Sequence, residues 1–185
     1  MKKGLGLVTI GSLVVLGFSL LAFAESMTAG FKDYLIPQKM STTFYEKKVT
    51  IFLTTKRAVP AKVDDKAGWM VGLDTDMNKE TGGKWPQIGA DYILSVINQN
   101  GKWETTLKNV KTGASHAING EVMVDKDMVD FSIPFNELEN KTDFNWQIAV
   151  VSGDNRKALP DVLTASKKNQ KSNESYDDAM KKMKM

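Results

Sequence analysis

The chain of 185 residues has no cysteine and one histidine, His116. The missing thiols exclude disulfides, thiolate zinc sites, iron–sulfur clusters and covalent haem attachment. A lone histidine leaves one ordinary base for a Ser-His-Asp arrangement. Ser115 beside it is no partner, because consecutive strand side chains point to opposite faces. His116 lies in a polar, turn-like stretch and reads as an exposed structural residue. Carboxylates are plentiful, yet no two are placed by sequence as an acid–base pair, so the chain is read as a non-enzyme.

Long helical periodicity is also scarce. Tyr176, Met180 and Met183 fall at helical spacing near the C-terminus, but so short a helix is marginal alone, and a frayed polar tail is the other reading. Apolar runs are confined to the start. Lys2 and Lys3 precede an apolar stretch from Leu5 to Leu21, which ends in Ala22-Phe23-Ala24 and the polar Glu25-Ser26. A positive n-region, an apolar h-region and an A-x-A end form an export signal. The rival, an uncleaved anchor, lacks a basic stop after the run. No cysteine follows for lipid attachment, and nothing after Ala24 is apolar for long enough to span a bilayer. Losing Lys2 and Lys3 lowers the formal charge of +3 by two. A nearly neutral chain carries no footprint for nucleic acid. The expected address is periplasmic or extracellular.

What remains reads as short strands. Val49, Ile51 and Leu53 alternate with Thr50, Phe52 and Thr54, the period of a pleated strand. Residues 69–73 form an apolar run, and Tyr92, Leu94 and Val96 share a face. Asn100-Gly101 marks a tight hairpin into Trp103, Thr105 and Leu107. Val122 and Val124 lead into Val129, Phe131 and Ile133, with Asp130 and Ser132 expected to face water. Phe144, Trp146, Ile148 and Val150 form the last clear strand. Closely spaced strands without intervening helices predict an all-β, antiparallel β-sandwich of jelly-roll or immunoglobulin-like two-sheet architecture. The expected organisation is a signal peptide over 1–24, an irregular lead-in over 25–43 with room for one edge strand, the sandwich over 44–164, and a Lys/Met-rich tail over 165–185.

Chemistry concentrates after the run at 69–73. Asp74, Asp76 and Asn78 alternate with other side chains, so three oxygens could converge on a hard cation such as Ca²⁺. The EF-hand pattern fails, since Lys79 stands where glycine is needed and Trp85 where glutamate is needed. The other reading is a turn in which Asp and Asn bond their own backbone. Asp91 could add an oxygen from across the hairpin or cap a turn. Trp69, Trp103 and Trp146 sit in periodic strands and read as core. Trp85 lies in the loop Gly82-Gly83-Lys84-Trp85-Pro86, either as an exposed face for stacking on a sugar or as a lid folded over the sandwich.

The order of these segments resembles that of the DOMON-like exported sandwiches, which include the family-nine carbohydrate-binding-module-like domains. The segments are the apolar strand, Asp74-x-Asp76-x-Asn78-x-x-Thr81-Gly82, Ile88-Gly89-Ala90-Asp91-Tyr92, residues 129–134, Phe144-Asn145-Trp146 and Leu159-Pro160-Asp161. The resemblance covers roughly residues 43–164 and implies a fold more than an activity, since such domains bind sugars, bind haem or have no known role. The reading it supports is a binding domain for a glycan or cell-envelope component, with Asp74, Asp76, Asn78 and Asp91 as metal candidates and Trp85 as the stacking residue. The alternatives are a haem-b redox accessory domain, for which Met70, Met77 and His116 are the available axial ligands, and a structural envelope protein. Export predicts a mature chain that begins at Glu25. N-terminal sequencing of the exported protein checks this, and retained Met1 contradicts it.

Overall fold

Alternating apolar and polar side chains form a stable sheet when the apolar set can face a second sheet. The computed structural model describes residues 28–118 and 122–169. Residues 28–30 form a turn, and the compact unit of the described chain starts at Phe31. The export segment and tail residues 170–185 lie outside the described residues.

Twelve strands follow in order: β1 (Pro37–Tyr45), β2 (Lys48–Thr55), β3 (Ala67–Asp74), β4 (Gly83–Lys84), β5 (Gly89–Ala90), β6 (Tyr92–Gln99), β7 (Lys102–Asn109), β8 (Ser115–Ala117), β9 (Val122–Asp125), β10 (Met128–Pro134), β11 (Asp143–Ser152) and β12 (Asn155–Ser166). Every pairing is antiparallel. A four-stranded sheet has the order β1-β2-β10-β9, a six-stranded sheet the order β12-β11-β3-β6-β7-β8, and β4-β5 form a separate ribbon. Among the described residues the only helical pieces are short 3-10 turns. The all-β, two-sheet antiparallel sandwich is what the strand periodicity predicts.

The core is the alternation made solid. Val49, Ile51 and Leu53 of β2 and Val129, Phe131 and Ile133 of β10 belong to the same buried cluster as Trp69, Val71 and Leu73 of β3, and Phe144, Trp146, Ile148 and Val150 of β11. Trp69 meets its polar obligation by donating its indole N–H to the Leu35 carbonyl at 2.8 Å.

One expectation changes, and two segments become sharper. Asp130 and Ser132 are 6 % and 7 % exposed, so the second face of β10 is buried rather than wet. Part of the polarity there is satisfied internally, because Thr50 and Ser132 are register partners whose hydroxyls bond at 2.8 Å. The lead-in contains a full edge strand, β1, which begins at Pro37. The sandwich also continues past Pro160 to Ser166 in β12, the opposite kind of edge. Proline is tolerated on an edge strand or at a bulge. Pro160 has both, because Ala149 pairs with Ala158 and Gln147 with Val162, leaving residues 159–161 opposite Ile148. The Gln147 side-chain amide donates to the Leu159 carbonyl at 2.7 Å and satisfies the bulge.

Phe131 is fully buried at the centre of β10. Phe131→Ala is expected to destabilise the fold by about 3–5 kcal/mol, read as a lower urea midpoint at unchanged slope.

Candidate functional site

The acidic site grows from the end of β3. The β3–β6 ladder closes at the pair Leu73–Tyr92, so Asp74 is the last strand residue and Asp91 the residue that opens β6. Asp91 is fixed by its own backbone: its N–H donates to the Leu73 carbonyl and its carbonyl accepts from the Val110 N–H, both at 2.8 Å. Its Oδ2 accepts from the Thr75 N–H and hydroxyl, each at 2.8 Å, and from the Asp76 N–H at 3.3 Å. Asp74 Oδ1 accepts from the Asn78 N–H at 3.0 Å. Asp76 Oδ1 accepts from the same N–H at 2.9 Å, and its Oδ2 accepts from the Thr81 hydroxyl at 2.8 Å. This loop folds back so closely that a Cβ on Gly89 would lie 2.0 Å from the Thr81 carbonyl oxygen. Only glycine fits there.

One oxygen from each of Asp74, Asp76 and Asp91 lies within 4.8 Å of the other two. Asn78 also holds the loop together. Its Oδ1 accepts from the Glu80 N–H at 3.1 Å, and its carbonyl accepts from Thr81, so it builds the loop. The Thr75 and Thr81 hydroxyls were not singled out by spacing. Their only sequence signal is their place among Asp and Asn in a turn.

Burial divides the carboxylates. Asp74 is 1 % exposed. Burial is the main cause that holds its carboxyl above the ordinary range, aided by hydrogen bonding to Asp76 and the charges of Asp76 and Asp91, and only partly opposed by the Asn78 N–H. Asp76, at the exposed side, is held below the ordinary range by the Thr81 hydroxyl and the Asn78 N–H, with a smaller contribution from Lys141. The site therefore carries more negative charge than its hydrogen bonds neutralise, and it attracts a proton or a cation.

Trp85 is the lid, with no open stacking face. Ribbon β4-β5 lies on the outer face of the larger sheet, where Trp85, Ile88 and Ala90 pack with Ala149, Met70, Ile93 and Ala158. Trp85 is 7 % exposed. Its ring lies so near β3 that a Cβ on Gly72 would come within 2.8 Å of it, and the Arg156 guanidinium sits 5.3 Å from the ring centroid. A sugar could stack there only by displacing Arg156. Trp103 departs from its expected role in the other direction. It is half-buried and stacks on Trp69 at 5.3 Å between centroids.

The remaining candidates are dispersed. His116, on edge strand β8, pairs with Glu137 at 2.7 Å. Met77 is exposed in the acidic loop. The Met70 sulfur accepts from Arg156 at 3.8 Å. Between β3 and β8 lie β6 and β7, so Met70 and His116 are about three strand spacings, roughly 14 Å, apart. Comparison of the chain with protein-family models, curated proteins and solved structures finds no match.

The Asp74 shift has a sign. Its carboxyl lies above the unfolded value when folded, so the folded state binds more protons between those values and loses stability as pH rises through them. Asp76 acts oppositely, but its contribution fades only below about pH 4. In chelator-treated protein the melting temperature should therefore rise as pH falls through the raised Asp74 titration toward the ordinary carboxylate range. Asp74→Asn should remove that rise, as measured by thermal melts across this window.

Proposed function

We propose that the chain is an exported, non-catalytic binding domain whose rim of Asp74, Asp76 and Asp91 holds Ca²⁺, and that the ion contributes to recognition of a glycan or other cell-envelope component. One observation carries this reading, the convergence of three carboxylate oxygens within 4.8 Å. Oxygens bound to one Ca²⁺ lie no more than about 5.2 Å apart, given bonds of about 2.3–2.6 Å, so the three can share an ion. Ca²⁺ takes six to eight oxygens, so three carboxylates leave positions for water or for the hydroxyls of a sugar. Asp76 lies on the solvent side, where such a ligand could approach. A binding role also suits the surroundings of His116, whose partner is a carboxylate and no nucleophile. The resemblance to DOMON-like sandwiches points the same way, and the export signal supplies the compartment.

The test uses metal-free protein. Calcium at a hundredfold excess over Kd stabilises by about 2.7 kcal/mol, which raises the melting temperature by roughly 5–10 °C. Magnesium does less. Asp76→Asn keeps one of the two acceptors the loop uses while removing a charge, and should abolish the rise. A glycan array run with calcium and with chelator then checks recognition. No thermal shift and no calorimetric calcium binding would refute the metal site.

A further inference from the structure

A second site lies at the other end of the sandwich. Strand β3 separates the two, running from Ala67 at one rim to Asp74 at the other, roughly 25 Å for eight residues. At the Ala67 end the β2–β3 loop, the β6–β7 hairpin and the β9–β10 hairpin enclose a cleft of about 410 Å³. This is within the size range of small-molecule sites.

The walls are rigid. The Val59 N–H donates to the Lys126 carbonyl at 2.7 Å and the Lys66 N–H to the Asn98 carbonyl at 2.8 Å, pinning the loop near both its ends. Asp65 accepts from the Asn100 N–H at 2.8 Å and ties the loop to the hairpin. The lining mixes apolar and polar surface: Val59, Pro60, Val63, Val124 and the Trp103 ring, which stacks on Trp69, contribute the apolar part.

Two polar groups interrupt that lining. Asn98 is 2 % exposed. Its Oδ1 accepts from the Gly101 N–H at 3.2 Å, while its amide nitrogen has no acceptor among the described residues. That nitrogen keeps contact with solvent at the cleft, so water or the acceptor of a ligand can reach it. Lys126, held at the hairpin turn with φ 58°, lines the mouth and makes no ion pair among the described residues. Asp125 and Asp127 flank it in sequence, but neither lines the cleft.

We infer that this cleft binds a small aryl carboxylate, with its flat apolar ring against Trp103 and the valines, and its carboxylate accepting from Asn98 and Lys126. A sugar fits less well. It presents a hydroxyl at nearly every ring carbon, whereas the polar side chains of the cleft are one amide and one ammonium, beside an aromatic ring. The site is independent of the calcium rim and of the glycan reading attached to it.

Calorimetry with naphthoate on the purified chain tests the assignment. Saturable binding at roughly tenths of a millimolar is expected. Neutral naphthamide, and naphthoate on Lys126→Gln, should each bind about tenfold more weakly, the effect of one lost charge-assisted contact. Ala61 is exposed at the cleft wall, so Ala61→Phe should fill the cleft and remove binding while the far-ultraviolet circular dichroism stays unchanged. Chelator should leave naphthoate affinity unaltered, which separates this site from the calcium rim. The inference is overturned if naphthoate does not bind, if Ala61→Phe binds it as well as the parent chain does, or if glucuronate binds as tightly as naphthoate.

Discussion

The double burial of β3 governs what the rest of the molecule can do. This strand is bonded to β11 on one side and β6 on the other, and nearly every residue in it is buried. Trp69, Val71 and Leu73 fill the space between the sheets, while Gly72 on the opposite face receives the Trp85 ring. A one-residue slip would exchange the faces, placing Gly72 in the core and a large side chain where only glycine fits. The register is thereby locked. Locking it also fixes the strand's two ends, one presenting Asp74 to the acidic loop and the other framing the apolar cleft. Both sites sit on turns, yet each turn is anchored to the least movable strand in the fold.

Much of this frame is legible in the sequence wherever a strand has a buried face to alternate against. The segments around Ile51, Leu94, Phe131 and Ile148 announce themselves because burial demands the period. The two strands that stayed obscure, β1 and β12, are both edges with mostly polar or half-exposed side chains, so neither carries much alternation. Pro160 further disguises β12, because a proline tolerated at an edge bulge looks from sequence like the end of a domain. The wet face expected for β10 fails for a related reason. Thr50 and Ser132 hide their polarity in each other, a pairing across 82 residues that local pattern cannot reveal.

The same limit explains the tryptophans. Trp85 occurs in a glycine-rich loop, a context that favours exposure, but the ribbon carrying it folds onto the outer sheet face. Trp103 occurs in a clean strand, a context that favours burial, but its strand lies one from the sheet edge and only one side of the sandwich end closes over it. Exposure here is decided by which element covers which face, and that is tertiary information. In the acidic loop, spacing correctly brings Asp74 and Asp76 together, and Asp91 joins them across the hairpin. Asn78, in the same D-x-D-x-N pattern, turns its side chain to the Glu80 N–H. All the members of the alternating pattern help to hold the turn in shape, a role that spacing alone does not reveal.

That division of labour sets the chemistry of the rim. Asp76 and Asp91 spend hydrogen-bonding capacity on the loop, and the donors that Asp76 gains favour its charged form. Asp74 is buried, receives one backbone donor and faces two other carboxylates, so its charge is the least compensated of the three. A proton and a divalent cation are then rivals for the same place. A proton answers only Asp74, whereas a cation at the centre is attracted by all three groups at once and relieves their mutual repulsion. On the calcium reading proposed above, affinity would fall with falling pH as protons compete for Asp74. Burial of one carboxylate among three makes such a site responsive to both ions. Had Asp74 been as exposed as Asp76, water would screen its charge and the loop would need neither.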